Sequence, residues 1–204
     1  MARTAVYIVD DDAAVRDSMA QLLGMHGYET RQFADAAGYL DEAEKLPKGC
    51  VLLDIRMPGM SGMELQEELK KRGRDEPVVF VTGHGDIGLA VKAMKAGATD
   101  FLQKPCDEHE LVDAVRHALS GKREARPAGD IDEKAASALA RLTDREREIL
   151  GYVSKGLTSK AIAQRLGISV RTVDIHRANI MNKTGTRNVV ELVRLALAGG
   201  FIGA

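Results

Sequence analysis

With 204 residues, 45% of them apolar and 29% charged, the chain is sized for one large or two small soluble domains. No apolar run nears the roughly 18 residues of a membrane span, the opening Met1-Ala2-Arg3-Thr4 does not lead a signal peptide, and Cys50 and Cys106 form neither a disulfide framework nor a metal-ligand spacing, so a reduced, cytoplasmic setting without a membrane partner is expected. The net charge of −1 conceals an acidic half, residues 1–120 with 21 acids against 14 bases, and a basic half, residues 121–204 with 9 against 15, for which a polyanion is the candidate partner.

Short apolar runs alternate with amphipathic stretches through the acidic half. The runs are Ala5–Val9, a weaker Tyr28–Phe33, Cys50–Ile55, Val78–Val81 and Thr99–Leu102. Helical patterns follow them at Asp12–His26, Asp35–Leu46, Met63–Arg72, Ile87–Ala96 and Glu108–Leu119. Nearly continuous apolar strands joined by helices predict a five-stranded parallel sheet with helices on both faces.

A polar stretch with Pro127 and Gly129 then interrupts helix formation. The expected division is a first domain over 1–120, a linker over 121–140 and a second domain over 141–204, with Asp132–Leu142 a candidate short helix of the second domain. From Thr143 onward the pattern is all helical. Thr143-Asp144-Arg145-Glu146 has capping-box spacing, Thr158 and Ser169 can cap two further helices, and a last helix spans about Asn188–Ala198. Gly167-Ile168-Ser169 is the expected turn of a helix-turn-helix.

Working groups in a parallel sheet gather beyond the carboxyl ends of the strands. Asp10, Asp11 and Asp12 follow the first strand, Asp54 ends the third, Thr82 the fourth and Lys104-Pro105 the fifth. Acids, a hydroxyl and an ammonium are therefore expected to converge. Clustered carboxylates repel unless a cation sits among them, and an all-oxygen ligand set suits magnesium. Lys104-Pro105 is a candidate cis bond.

Val9-Asp10-Asp11-Asp12, Asp54-Ile55-Arg56-Met57-Pro58-Gly59-Met60-Ser61-Gly62, Thr82-Gly83-His84 and Lys104-Pro105 resemble the receiver domain of two-component response regulators, and the full layout is similar to the FixJ-like subgroup. The resemblance implies a flavodoxin-like fold in which Asp54 accepts a phosphoryl group from a sensor histidine kinase. It implies that Mg²⁺ is held by Asp11, Asp54 and the backbone carbonyl of Arg56, with Asp10 acting through water. Lys104 and Thr82 would contact the phosphoryl oxygens, and Phe101 would be the switch aromatic that turns inward behind Thr82. Phosphoryl transfer needs mainly alignment and charge neutralisation, which these groups can supply. The acyl phosphate product hydrolyses readily, so the domain would serve as a timer rather than an enzyme in its own right. Cys106 stands where many receivers carry Phe, and Arg56 and His84 occupy positions that vary in the family.

The second half, from Leu142-Thr143-Asp144-Arg145-Glu146 through Gly156-Leu157-Thr158-Ser159-Lys160-Ala161 to Ile168-Ser169-Val170-Arg171-Thr172-Val173, resembles the LuxR/NarL-type helix-turn-helix. Val170, Val173 and Ile180 have the spacing of a core-facing stripe. The resemblance implies double-stranded DNA as partner, with Ser169, Arg171, Thr172, Asp174, Ile175, Arg177 and Ala178 on the groove side. Lys160, Arg171, Arg177 and Lys183 are the expected phosphate contacts. His176 is expected to be structural. The last helix, rich in Val and Leu, is either a dimer contact or part of its own domain's core; homodimerisation on phosphorylation and contact with RNA polymerase are the further expectations. Asp174 stands where NarL-type relatives often carry Lys: it either reads a base, cytosine first, or pairs with Arg171 or Arg177 three residues away.

Two other readings fit less of the chain. A HAD-type phosphatase would use Asp10-Asp11-Asp12, yet Ala14 replaces the expected Thr or Val and Asp54 is left without a role. A LuxR-type receptor for a small molecule would need an aromatic-rich pocket, and aromatics are only 4%.

Overall fold

The computed structural model describes residues 5–83, 87–120 and 132–202. His84 and the 121–131 stretch of the expected linker lie outside the described residues. The chain forms two compact units, one built on a sheet and one helical.

The sheet has five parallel strands in the order β2-β1-β3-β4-β5. They are β1 (Ala5–Val9), β2 (Glu29–Phe33), β3 (Cys50–Leu53), β4 (Val78–Thr82) and β5 (Asp100–Gln103), alternating with α1 (Ala13–Met25), α2 (Ala36–Ala43), α3 (Gly62–Lys71), α4 (Ile87–Lys95) and α5 (Glu108–Leu119). The three central strands, β1, β3 and β4, are buried almost throughout, whereas β2 and β5 carry exposed and half-buried positions. That difference follows from place: a central strand is covered on both faces and an edge strand is not.

Strand alternation divides the core. Val6, Ile8, Cys50, Leu52, Val79 and Val81 pack with Met19 and Leu23 of α1 and Leu111 and Val115 of α5. The alternate residue Tyr7 points to the opposite face, where its ring lies 5.7 Å from Tyr39 of α2 and 6.5 Å from Phe33. Cys106 is half-buried and packs against the α1/α5 side of the core.

Five further helices follow: α6 (Glu133–Ala140), α7 (Asp144–Val153), α8 (Ser159–Leu166), α9 (Val170–Thr184) and α10 (Val189–Ala198). Leu139, Ile149, Leu150, Ile162, Val173, Ile180, Leu192 and Ala196 form their shared core. The Asp132 backbone N–H donates to Ala198 O at 2.8 Å, and its side chain caps α6. The α6 helix thus packs within the helical unit, where Leu139 joins the core.

The β3–α3 loop must return across Asp54. Gly62 begins α3, its N–H donates to Ile55 O at 3.0 Å, and a Cβ there would overlap the Asp54 carbonyl oxygen while pressing Leu53 Cγ at 3.0 Å. Only a residue without a side chain fits so close an approach. Gly62→Ala is therefore expected to destabilise the sheet unit by about 1–3 kcal/mol through overpacking. A lowered urea midpoint at unchanged slope is the expected reading, and an unshifted midpoint would contradict this account of the loop.

Candidate functional site

Three carboxylates meet at the carboxyl edge of the sheet. Asp10, Asp11 and Asp54 each offer an oxygen, and these oxygens lie within 4.8 Å of one another. Asp10 and Asp54 are buried and Asp11 is exposed. The backbone sets the spacing: Asp54 N–H donates to Val9 O at 2.9 Å, carrying the β1–β3 pairing one residue past the strand end. Asp54 Oδ1 accepts from Ile55 N at 2.7 Å and Arg56 N at 3.4 Å, which turns the chain out of the sheet. This is why β3 ends at Leu53 and not at Ile55.

The third member of the sequence triplet does different work. Asp12 caps α1, accepting from Ala14 N at 2.9 Å and Val15 N at 3.3 Å. Asp10 Oδ1 in turn accepts from Asp12 N at 3.0 Å. Arg16, which sequence reasoning passed over, donates from α1 to Asp10 O at 2.7 Å. Its six-residue separation across a strand–helix turn has no periodic signature.

Lys104 reaches the acids from the end of β5. Its Nζ lies 2.5 Å from Asp10 Oδ2 and 3.3 Å from Asp54 Oδ2. Its backbone N–H donates to Thr82 O at 2.9 Å, so the β4 and β5 ends arrive together, and Lys104–Pro105 is cis. Thr82 is fully buried and Phe101 is buried, opposite Phe80 in the β4–β5 register.

Burial pushes the Asp10 carboxyl above its ordinary range, against the pull of Lys104 and the Asp12 N–H. Burial alone would lower the Lys104 ammonium, but Asp10 and Asp54 outweigh it and hold it above the ordinary lysine value. Two unit charges about 5 Å apart repel by roughly 3 kcal/mol at an effective dielectric near 20. One ammonium cannot neutralise three carboxylates, and the remaining charge suits a divalent cation with oxygen ligands. A cleft of about 380 Å³ opens beside Asp11, walled by Asp35, Pro58 and Met60.

In the helical unit, α8 and α9 are joined through Gly167, which takes φ +64°, then Ile168 and Ser169. Ser169 caps α9 by accepting from Thr172 N at 3.0 Å, and the two hydroxyls lie 2.8 Å apart. Val173 and Ile180 are fully buried, as expected. Val170 is not: it is 44% exposed. It stands about 60° around the helix from Val173 and in the first turn, at the margin of the packed face. Opposite the core runs an exposed stripe of Arg171, Asp174, Ile175, Ala178 and Asn182, at successive helical spacings.

The four expected phosphate contacts divide. Lys160 and Arg171 are exposed. Arg177 is half-buried and donates from Nη1 to Ser159 Oγ at 2.7 Å. Lys183 lies 2.7 Å from Glu146 Oε2, whose side chain is only 4% exposed. His176 is half-buried. In α10, Leu192 and Ala196 are buried in the unit's own core with Val189 and Leu195 against it.

A model of the response regulator receiver domain matches residues 6–116, and one of bacterial regulatory proteins of the luxR family matches residues 140–196. The chain is 46% identical over 195 residues to the transcriptional regulatory protein FixJ of Azorhizobium caulinodans, covering 96% of this chain and 92% of that one. It is 41% identical to FixJ of Rhizobium meliloti, covering 96% of each. Among solved structures, full-length FixJ from B. japonicum is 40% identical, with full coverage of both chains and a TM-score of 0.56. The chain belongs to the FixJ-like response regulators. In this family a receiver domain is joined to a luxR-type DNA-binding domain, the architecture of phosphorylation-dependent transcription regulation.

Within this response regulator, Glu146 is the functional-half residue that sequence reading left as a mere cap. It completes the capping box by accepting from Thr143 N at 2.8 Å and also takes Lys183 from the far end of α9. Burial would raise its carboxyl, but the bonds from Lys183 and Thr143 prevail and hold it below the ordinary glutamate range. A group whose folded pKa is depressed contributes stability above its unfolded pKa, and loses it as pH falls through the folded value. Glu146→Gln keeps the cap and loses the ion pair. Wild type is expected to melt higher than Glu146→Gln at neutral pH, the difference disappearing as pH falls below about 4. A difference in melting temperature that is constant with pH would count against the ion pair as its source.

Proposed function

We propose that Asp54 is the phosphoacceptor, taking a phosphoryl group from the phosphohistidine of a sensor kinase and thereby controlling DNA binding by α9. The observation that carries this reading is the set of carboxylates from Asp10, Asp11 and Asp54 within 4.8 Å, met by Lys104 from another strand. One Asp54 oxygen attacks phosphorus, the phosphorus–nitrogen bond breaks, and the imidazole leaves to be reprotonated by solvent.

Asp11, Asp54 and the Arg56 carbonyl would hold Mg²⁺, with Asp10 acting through water; the oxygen-only donors and surplus negative charge fit it. When bound, the cation supplies charge neutralisation to the phosphoryl oxygens. Lys104 supplies a fixed positive charge, and its pairing with both acids keeps it protonated. The Ile55 and Arg56 N–H groups hold Asp54 Oδ1 in a single orientation, which fixes the attacking carboxylate. Thr82 would hydrogen-bond the phosphoryl group, and Phe101, buried on the neighbouring strand β5 opposite Phe80, would carry the shift to the surface of the sheet unit.

The output is a transcription regulator that dimerises when phosphorylated and places two copies of α9 in successive major grooves, with RNA polymerase a further partner. The half-sites would lie about one helical turn, roughly 34–36 Å, apart. Coupling two modules raises affinity by effective concentration without a new base contact.

Asp54→Asn is expected to fold and to take no phosphoryl group from acetyl phosphate with Mg²⁺. Intact-mass measurement should show a gain of about 80 Da in wild type alone, the mass of one phosphoryl group. An equal adduct on the variant would place the acceptor elsewhere. Light scattering should show the wild-type mass doubling on phosphorylation, and an unchanged mass at full phosphorylation would exclude dimerisation as the switch.

A further inference from the structure

Asp174 has no structural task. It is exposed in the middle of the α9 stripe, and among the described residues its carboxylate makes no hydrogen bond or ion pair. Arg171, one turn before it, makes none either. Arg177, one turn after it, is committed to Ser159 Oγ at 2.7 Å. The expectation that Asp174 orients one of these arginines therefore finds no support in the geometry. Nor does Asp174 serve the helix dipole, because it lies beyond the first turn, where an acid gains most.

An acid at this place is also costly in the function proposed above. Its neighbours on the exposed stripe are Arg171, Ile175, Ala178 and Asn182, a surface with no other negative charge. A carboxylate brought against a duplex meets phosphates that repel it and that neutralise no charge of its own. Such a group lowers affinity for every sequence unless one sequence returns the loss.

We propose that Asp174 is a specificity-determining residue that reads cytosine, its carboxylate accepting a hydrogen bond from the N4 amino group in the major groove. The inference rests on the reading of α9 as the helix that enters that groove. The base follows from the acceptor-only character of an ionised carboxylate. Guanine presents two acceptors there, and thymine an acceptor beside a methyl group. Adenine presents a donor, but next to the N7 acceptor, which repels the second carboxylate oxygen. In the paired duplex the adenine donor lies between N7 and the thymine O4, whereas the cytosine donor has the guanine O6 on one side and only C5–H on the other, so cytosine alone leaves the second carboxylate oxygen a side without an acceptor. Ile175, 52% exposed on the same stripe, provides an apolar neighbour that limits water at that contact.

Selection from random duplex DNA by full-length, acetyl-phosphate-treated protein tests this, comparing wild type with Asp174→Ala and Asp174→Asn. Wild type is expected to enrich cytosine at one position per half-site. Asp174→Ala should lose preference at that position alone and bind the wild-type site at least roughly fivefold more weakly. Asp174→Asn, able to donate and accept, should shift that position towards adenine. The substituted residue is exposed, and matching circular dichroism spectra would establish that both variants fold. A motif unchanged in both variants, with affinity merely raised across all sequences, overturns the proposal and leaves the DNA-binding reading intact. A wild-type protein that enriches no sequence overturns that reading and the proposal together.

Discussion

The Lys104 ammonium, 2.5 Å from Asp10 and 3.3 Å from Asp54, lets three carboxylates share one edge of a sheet. Without a cation, their mutual repulsion would oppose the β1–β3 pairing that brings them together. With only one, the edge keeps a surplus of negative charge. The fold thus tolerates a surplus of negative charge at this edge, which suits a divalent cation with oxygen ligands. The strands beneath supply the tolerance: β1, β3 and β4 are buried on both faces, so their ladder and packing set the positions of side chains that repel each other.

The helical unit solves a different problem, that of presenting one helix face without losing the helix. Val173 and Ile180 anchor α9 from one side, while Ser169 closes its start and Gly185, at φ +71°, its end. Two basic residues that could face DNA are turned instead to internal partners, Arg177 to Ser159 and Lys183 to Glu146. These contacts span from α9 to α8 and α7 and set the angle at which the exposed stripe is carried. Lys160 and Arg171, by contrast, stay exposed.

The two units also divide the chemistry of charge. In the sheet unit, acids are crowded and their balance is delicate. On the exposed stripe of α9 in the helical unit, Asp174 is the single acid among Arg171, Ile175, Ala178 and Asn182.

Much of this was legible in the residues. Apolar runs of four to six residues located the central strands, because buried strands must be apolar on both faces, and the capping residues Thr143, Thr158 and Ser169 marked helix starts because orphan N–H groups need acceptors nearby in sequence. The acids, hydroxyl and ammonium were readable as one site because parallel strands share a carboxyl edge. What sequence could not decide was which charged groups take internal partners. Lys183 and Glu146 are 37 residues apart, and Arg177 and Ser159 are 18 apart. The partners of each pair lie on different helices, so no helical period relates them, and both pairs exist only because α7, α8 and α9 pack around a common core. The same holds for Val170, whose spacing matched the buried stripe but whose place in the first turn left it at the margin. Local chemistry follows from residues close in the chain. The partners of long side chains are set by packing between distant elements, and only the tertiary structure decides those.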